Sequence, residues 1–403
     1  MQVVLENTSS IEMKKSFRET ALIVFFVAQA ILSMGWIAVY PFGGYVILFL
    51  WACAFLCVKA SPLKYCVYGL IVGLFAVFYM FPRPFGYGNT AWHLSLLVFS
   101  QMFFLNRQLF SEVVQSFVKC LILLCSASLI YRIIIYSVIE LPYQYIDLDP
   151  QLFKLYWPFY VDRLNISVGD VDTLIGNFRF HGPFFEPGAL GIALAVSLYG
   201  SASRLQRALI FFFGMLTLSM AFFFLAFIWL MEQLVLKKNF LLIVIAIIVV
   251  VLAFLMLDKS GFLYASSFGR LLGENDKVLN TRVSHFEVEQ IRLFAETVTS
   301  NFTGVIIGIG WNIPGSGGSY RSWILGAGLL GMCAWFVAYF ALLRKFVAVN
   351  LQLFIFRFSS FLVLCYIWGN WFAPIFLFLW YGESRIQSNE SSSSSYPQQR
   401  QVL

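Results

Sequence analysis

"RALIFFFGMLTLSMAFFFLAFIWLMEQLVLKK", residues 207–238, is almost wholly apolar between two basic ends. It can be one long helix or two short ones, and the choice sets the parity of every element after it. Charge decides. Lys14, Lys15, Arg18, Lys59, Lys64, Arg107, Arg204, Arg207, Lys237, Lys238, Arg344, Lys345 and Arg385 all flank short connections. They fall on one side of a membrane only if 206–236 crosses twice, turning near "LSMAF". Of the short connections on the other side, only the 82–84 loop carries a cation, Arg83. The bias of Lys and Arg toward the cytoplasmic side then predicts about twelve spans with both termini cytoplasmic.

Composition agrees that the solvent is lipid. The 403 residues are 60% hydrophobic and 12% charged, against about 45–50% and about 25% in soluble domains. The net charge of +7 reads as cations held on one face of a bilayer, not as a nucleic-acid surface. Apolar runs fall near 20–40, 42–58, 65–81, 90–105 and 113–139, then 188–203, 206–218, 219–236 and 239–257, and finally 322–343, 350–368 and 370–382. Residues 1–386 are expected to form a single transmembrane domain. Two long polar segments, about 140–186 and 258–321, are expected to face outward. Residues 387–403, with "SSSSSYPQQRQ", have the composition of a disordered cytoplasmic tail. No signal-peptide pattern is visible in 1–19, and no internal repeat occurs. All seven cysteines lie in or beside apolar runs, and no CxxC spacing occurs, so a disulfide framework is not expected.

The first outer segment contains "LPYQYIDLDPQLFKLYWPFYVDRL", residues 141–164. Its aromatics suit an interfacial belt, and equally a floor on which sugars stack. Asp147 with Asp149, and Asp170 with Asp172, form Asp-x-Asp pairs. A solvated acidic loop explains them better than a metal site, since hard cations take more oxygen ligands than a lone pair offers. At the end of the segment stands "RFHGPFFEPGALG", residues 179–191. Pro187 is expected to open the next helix. Glu186 and Arg179 then sit where the chain enters the membrane, as a structural ion pair or as functional groups, because a charge at that depth needs a partner.

In the second outer segment Arg282, His285, Glu289, Arg292 and Glu296 recur at helical spacing, with Asn280 or Thr281 as N-cap. A salt-bridged solvated face and a binding face are both open readings. "GVIIGIGWNIPGSGGSYRS", residues 304–322, lacks the Gly-Lys-Ser/Thr of a nucleotide loop. It reads as a tight return to the membrane with exposed backbone amides. Lys119, Arg132 and Arg357 lie inside apolar runs. Lys119 can snorkel to the cytoplasmic side. Arg132 can reach an anionic head group or pair with Glu140. Outward-facing arginines suit a pyrophosphate leaving group, which they bind bidentately. Glu186 or His285 could take the proton of an attacking hydroxyl. Together these parts describe glycosyl transfer from a lipid pyrophosphate.

These residues resemble the O-antigen polymerases, the Wzy-type enzymes. Arg179, Gly182, Phe184, Glu186 and Pro187 fill a pattern similar to their R-x-x-G-x-F-x-E-P signature. "TRVSHFEVEQIRLF", with Gly308 and Gly310 further on, resembles their second large periplasmic loop, Arg282 matching its leading arginine. "LTLSMAFF", residues 216–223, is similar to their short Ser-containing span pair, and "GAGLLG", residues 326–331, to the opening of the next span. The resemblance covers about residues 175–335. It implies an all-α polytopic membrane protein of GT-C-like architecture at the periplasmic face of the bacterial inner membrane. The enzyme would be an inverting glycosyltransferase that polymerises undecaprenyl-pyrophosphate-linked repeat units of O-antigen, capsule or exopolysaccharide, with no metal and no cofactor. Glu186, Arg179 and Arg282 would be catalytic. Arg132, His181, Gly182, His285, Arg292 and Arg321 would bind substrate. Expected partners are the lipid-linked oligosaccharide, the bilayer and, optionally, a chain-length regulator. Related O-antigen ligases carry a His-Asn late in the second loop. Here Ser319, Tyr320 and Ser322 stand in that region, which weakens both the ligase reading and a histidine base. A carrier of lipid-linked sugar is the remaining alternative; the two long outer loops and the missing repeat argue against it.

Overall fold

The computed structural model describes residues 17–34, 43–58, 62, 65, 69, 101–137, 144–149, 152–157, 160–164, 180–184, 187–238, 285–309, 320–346, 351–367 and 374–381. Within them the chain is mostly helical. The helices are α1 (Phe17–Leu32), α2 (Gly43–Cys57), α3 (Arg107–Ser137), α4 (Pro187–Gly200), α5 (Arg204–Leu216), α6 (Met220–Leu236), α7 (His285–Ser300), α8 (Phe302–Ile307), α9 (Tyr320–Phe346), α10 (Leu351–Ile367) and α11 (Ile375–Phe378). Two of these contain stretches long and apolar enough to cross a bilayer, Arg107–Ile135 in α3 and Trp323–Arg344 in α9. The apolar runs at 65–81 and 239–257, and the tail 387–403, lie outside the described residues or almost wholly so.

The deciding stretch is indeed two helices. α5 is opened by a capping box: the Ser203 side chain accepts from the Gln206 backbone, and the Gln206 side chain accepts in return from the Ser203 N–H. α5 and α6 are joined through Thr217, Leu218 and Ser219. Leu218 takes a left-handed φ of 47°, and the Thr217 hydroxyl donates to the Gly214 carbonyl at 2.7 Å while accepting from the Ser219 N–H.

α4 is the central helix. Every residue from Gly191 to Gly200 is buried, as expected of a helix that is apolar all round. It packs against α3, α5, α6 and α11. Its small residues allow this, since backbones approach closely only where side chains are short. A Cβ on Gly191 would lie 2.5 Å from the Ser219 Cβ. α3 shows the opposite pattern. Phe110, Val113, Val114, Phe117, Val118, Leu121, Leu124 and Cys125 form a buried stripe, while Leu123, Ile130 and Ile133 are exposed on the outer side. An apolar residue on the outer side of such a helix suits lipid.

Where the chain ends of α3, α4, α6 and α10 gather near the short helix α11, polar groups knit the helices together. Gln115 donates to the Gly200 carbonyl at 2.6 Å and to the Tyr381 hydroxyl at 3.1 Å. Tyr381 also meets Ser111 at 3.0 Å. Beside them Trp335, Tyr339, Phe361 and Phe376 form an aromatic stack, tied by Trp380 donating to the Tyr339 hydroxyl and Tyr339 to the Phe376 carbonyl.

The polar segment 140–186 adds an element to the all-α expectation. β1 (Gln144–Asp149), β2 (Leu152–Trp157) and β3 (Tyr160–Leu164) form an antiparallel meander in the order β1-β2-β3. The sequence separates the strands at Pro150 and Pro158, residues with no N–H to give a ladder. A register shift between Asp147 and Asp149 divides that acidic pair across a bulge.

Candidate functional site

Residues 180–184 make a tight turn just before α4. The Phe184 N–H donates to the His181 carbonyl, and Gly182 takes a φ of +59°. A Cβ at Gly182 would meet Leu190 Cδ2 at 2.9 Å. Position 182 therefore requires glycine twice over, for backbone angle and for space. Phe180, His181 and Phe184 are all buried. The Phe180 N–H donates to the Leu216 carbonyl at 2.9 Å, and its ring stacks on Phe213 at 6.1 Å between centroids. The turn is thus fastened to the end of α5. In the sequence Arg179 immediately precedes it, and Glu186 immediately precedes Pro187, which opens α4 as expected.

A second junction lies between α8 and α9. α9 is broken at Gly328, whose φ is 68° and ψ 178°. The break lets the end of α8 press in. A Cβ on Gly308 would lie 2.8 Å from the Gly326 and Ala327 carbonyl carbons, and one on Gly328 would lie 2.5 Å from that of Ile307. The Gly308 N–H donates to Gly304 O, and the Ile309 N–H to Leu325 O. At these two positions the expectation of exposed backbone amides is corrected: both amides are used within the fold, because glycine lets the strand of chain sit directly on the broken helix.

The remaining expected site residues fall in three situations. Arg179, Glu186 and Arg282 lie outside the described residues, as do Asn280, Thr281 and Glu140. His285 is the first residue of α7, and Arg321 lies in the first turn of α9. Arg132 and Arg292 are described in full. The Arg132 guanidinium stands 5.9 Å from the ring centroid of the buried Tyr160, joining α3 to β3. Arg292 is 79% exposed and donates to Glu296 at 2.7 Å one turn on. An exposed i,i+4 pair contributes only about 0.3–0.5 kcal/mol.

One charged pair had a visible signal that sequence reasoning did not use. Arg357 donates through Nε and Nη2 to both Glu232 oxygens, each at 2.6 Å, and through Nη1 to the Leu379 carbonyl. Its guanidinium covers the Tyr199 ring at 4.2 Å, and the Tyr199 hydroxyl meets Ser360 at 2.7 Å. Both charges are buried. Glu232 is the sole carboxylate in α6, which marks it as a group needing a cation. The pair stands at the Tyr199 end of α4, roughly 18 Å along that helix from Pro187. It joins α4, α6, α10 and the chain after α11, and it is spatially separate from the turn at 180–184.

Comparison with protein-family models, with curated proteins and with solved structures found no match. The functional reading therefore stands on the residues and their geometry.

Proposed function

We propose that this chain is a Wzy-type polysaccharide polymerase. It takes a growing glycan from undecaprenyl pyrophosphate and joins it to a lipid-linked repeat unit at the periplasmic face of the inner membrane. About twelve spans, a GT-C-like arrangement and cytoplasmic termini belong to the same proposal. The observation that carries it is the pairing of the four stretches that resemble the family. The 179–187 stretch is hydrogen-bonded to the 216–223 stretch through Phe180 and Leu216. The stretch that carries Gly308 and Gly310 meets the 326–331 stretch at Gly308, against Gly326, Ala327 and Gly328. Segments distant in sequence are thus used together, and the signature glycine Gly182 has a structural reason to be glycine.

In the proposed reaction the acceptor hydroxyl attacks the anomeric carbon of the donor sugar from the face opposite the pyrophosphate. Glu186 takes the hydroxyl proton. The carbon–oxygen bond to pyrophosphate breaks as the new glycosidic bond forms, with inversion, and undecaprenyl pyrophosphate leaves. Arg179 and Arg282 hold the charge that develops on the leaving group, which accelerates the step because they are aimed before it begins. Arg292, exposed on α7, is assigned to the anionic head group of either lipid.

The test is the surface glycan of a deletion strain complemented with variants. The deletion should show single repeat units where the parent shows a ladder. Arg179→Ala and Arg282→Ala should behave like the deletion at normal protein levels, a loss of about 100- to 1000-fold in rate, and lysine should rescue only in part. Glu186→Gln should also match the deletion. Lipid-linked polymer accumulating outside the membrane would identify a ligase instead. Single units trapped on the cytoplasmic side would identify a carrier.

A further inference from the structure

The polar segment 258–321 reads as an outer loop, yet its described end is built for a different environment. α7 and α8 are joined through the single residue Asn301, contact one another, and both pack against α9. The contacts fix the direction of the chain at the end of α8. Ile306 and Gly308 lie against Gly328 and Gly326, while Ile309 bonds to Leu325. From Ile306 to Ile309 the chain runs forward while its contacts run backward along α9, so the end of α8 and the residues after it are antiparallel to α9. The apolar stretch of α9 begins at Trp323, and Gly328 is five residues inside it, roughly 7 Å at the helical rise. Continued back through α8, that course leads its start beyond Gly328, away from the Trp323 end.

The side chains fit that depth. Phe302 is 76% exposed, with Val298 and Ile307 exposed beside it. Leu329 and Leu330, just past the break in α9, are exposed too. Ile307 adjoins Gly328, so the exposed surface of the hairpin continues that of the span. The hydroxyls that end α7 bond back to its own carbonyls. Thr297 donates to Leu293 O and Thr299 to Ala295 O. Ser300 donates to Glu296 O, and Asn301 accepts from the Gly304 N–H at 2.8 Å. A helical hairpin with such self-satisfied groups can lie against lipid, where an irregular loop cannot. The proposed course would carry Arg292 and Glu296, further back along α7, toward the Trp323 end.

We propose that the α7–α8 hairpin is a re-entrant element whose tip, at Val298 and Phe302, sits among the acyl chains of the bilayer beside α9. The occupant of this apolar face is bulk lipid, argued from its continuity with the exposed side of the α9 span. The inference rests on α9 crossing the membrane and is independent of the polymerase reading. Single cysteines at 292, 298, 302 and 307, placed in a cysteine-free full chain in phospholipid nanodiscs, test it. An impermeant maleimide should label position 292 about tenfold faster or more than 298 and 302. A bimane at 302 should be quenched by doxyl-labelled phospholipid, and one at 292 should not. Equal labelling of 292 and 302 overturns the proposal, and so does protection at 302 without lipid quenching, which would mean protein covers it. If the cysteine-free chain fails to fold, wild-type protein in nanodiscs with acyl-chain diazirine phospholipid gives the same answer. Carbene adducts on the 298–307 peptide support the proposal, and their absence there alongside adducts on α3 overturns it. Polymer formation can fail or persist in these experiments without changing the outcome.

Discussion

Replacing Arg357 by methionine should isolate the Glu232 carboxylate inside the protein. The side chain removed makes two charge-assisted hydrogen bonds to Glu232 at 2.6 Å and a third to the Leu379 carbonyl. Each charged hydrogen bond contributes about 1.5–3 kcal/mol, so the two to the carboxylate amount to roughly 3–6 kcal/mol. That agrees with the about 3–5 kcal/mol lost when one partner of a buried ion pair is removed. At about 2–4 °C per kcal/mol for a domain of moderate size, the apparent melting temperature of the purified chain should fall by roughly 6–20 °C. Adding Glu232→Leu should restore most of the loss, because an apolar pair of similar volume is often as stable as a buried ion pair. Differential scanning fluorimetry on wild type, both single variants and the double variant completes the cycle. The reasoning fails if Arg357→Met melts with wild type, or if the double variant is no more stable than the single.

Three more predictions concern the glycines and the Arg292 pair. Gly182→Ala should lower stability by about 1–3 kcal/mol from its left-handed backbone alone. Adding Leu190→Ala should not restore it, because the clash is relieved while φ is unchanged; chemical denaturation in detergent measures both. Gly308→Val should force α8 off α9, giving faster proteolytic cleavage between 301 and 309 with little change in helix content by circular dichroism. Arg292→Gln should change the melting temperature very little, since its partner contributes only about 0.3–0.5 kcal/mol; a large drop would show a structural role that the exposed geometry does not provide.

Much of the helical plan was legible because its signals are local. The split of 206–236, the opening of a helix at Pro187 and the ends of α9 and α10 follow from charge, proline and apolar run length. The α7 helix was legible from the spacing of His285, Glu289, Arg292 and Glu296. The sheet was not. Its aromatic run suited an interfacial segment equally well, and strand pairing depends on partners that hydropathy does not name. The glycines of 304–310 and 326–331 could be seen, but their mutual fit could not, because close approach of two backbones leaves no periodic trace. Arg357 was visible as a buried cation, while its partner stands 125 residues earlier. Of the proposed catalytic set, Arg179 and Glu186 adjoin the described turn and helix in the sequence.

The lengths of α3 and α5 have a further consequence for the surrounding lipid. α3 has 31 residues and α5 has 13, so they measure about 46 Å and about 20 Å. They lie against one another. A bilayer core of about 30 Å matches neither. On the proposed topology, lipid beside α5 must compress toward the buried Thr217 and Ser219, while lipid along α3 can stay thick or the helix can tilt. Membrane thickness is then graded around the perimeter, and head groups dip on the side where the 180–184 turn is fastened to α5. On the proposed function, a long-chain lipid carrier arriving there would bring its phosphates down to the protein without being lifted out of its leaflet.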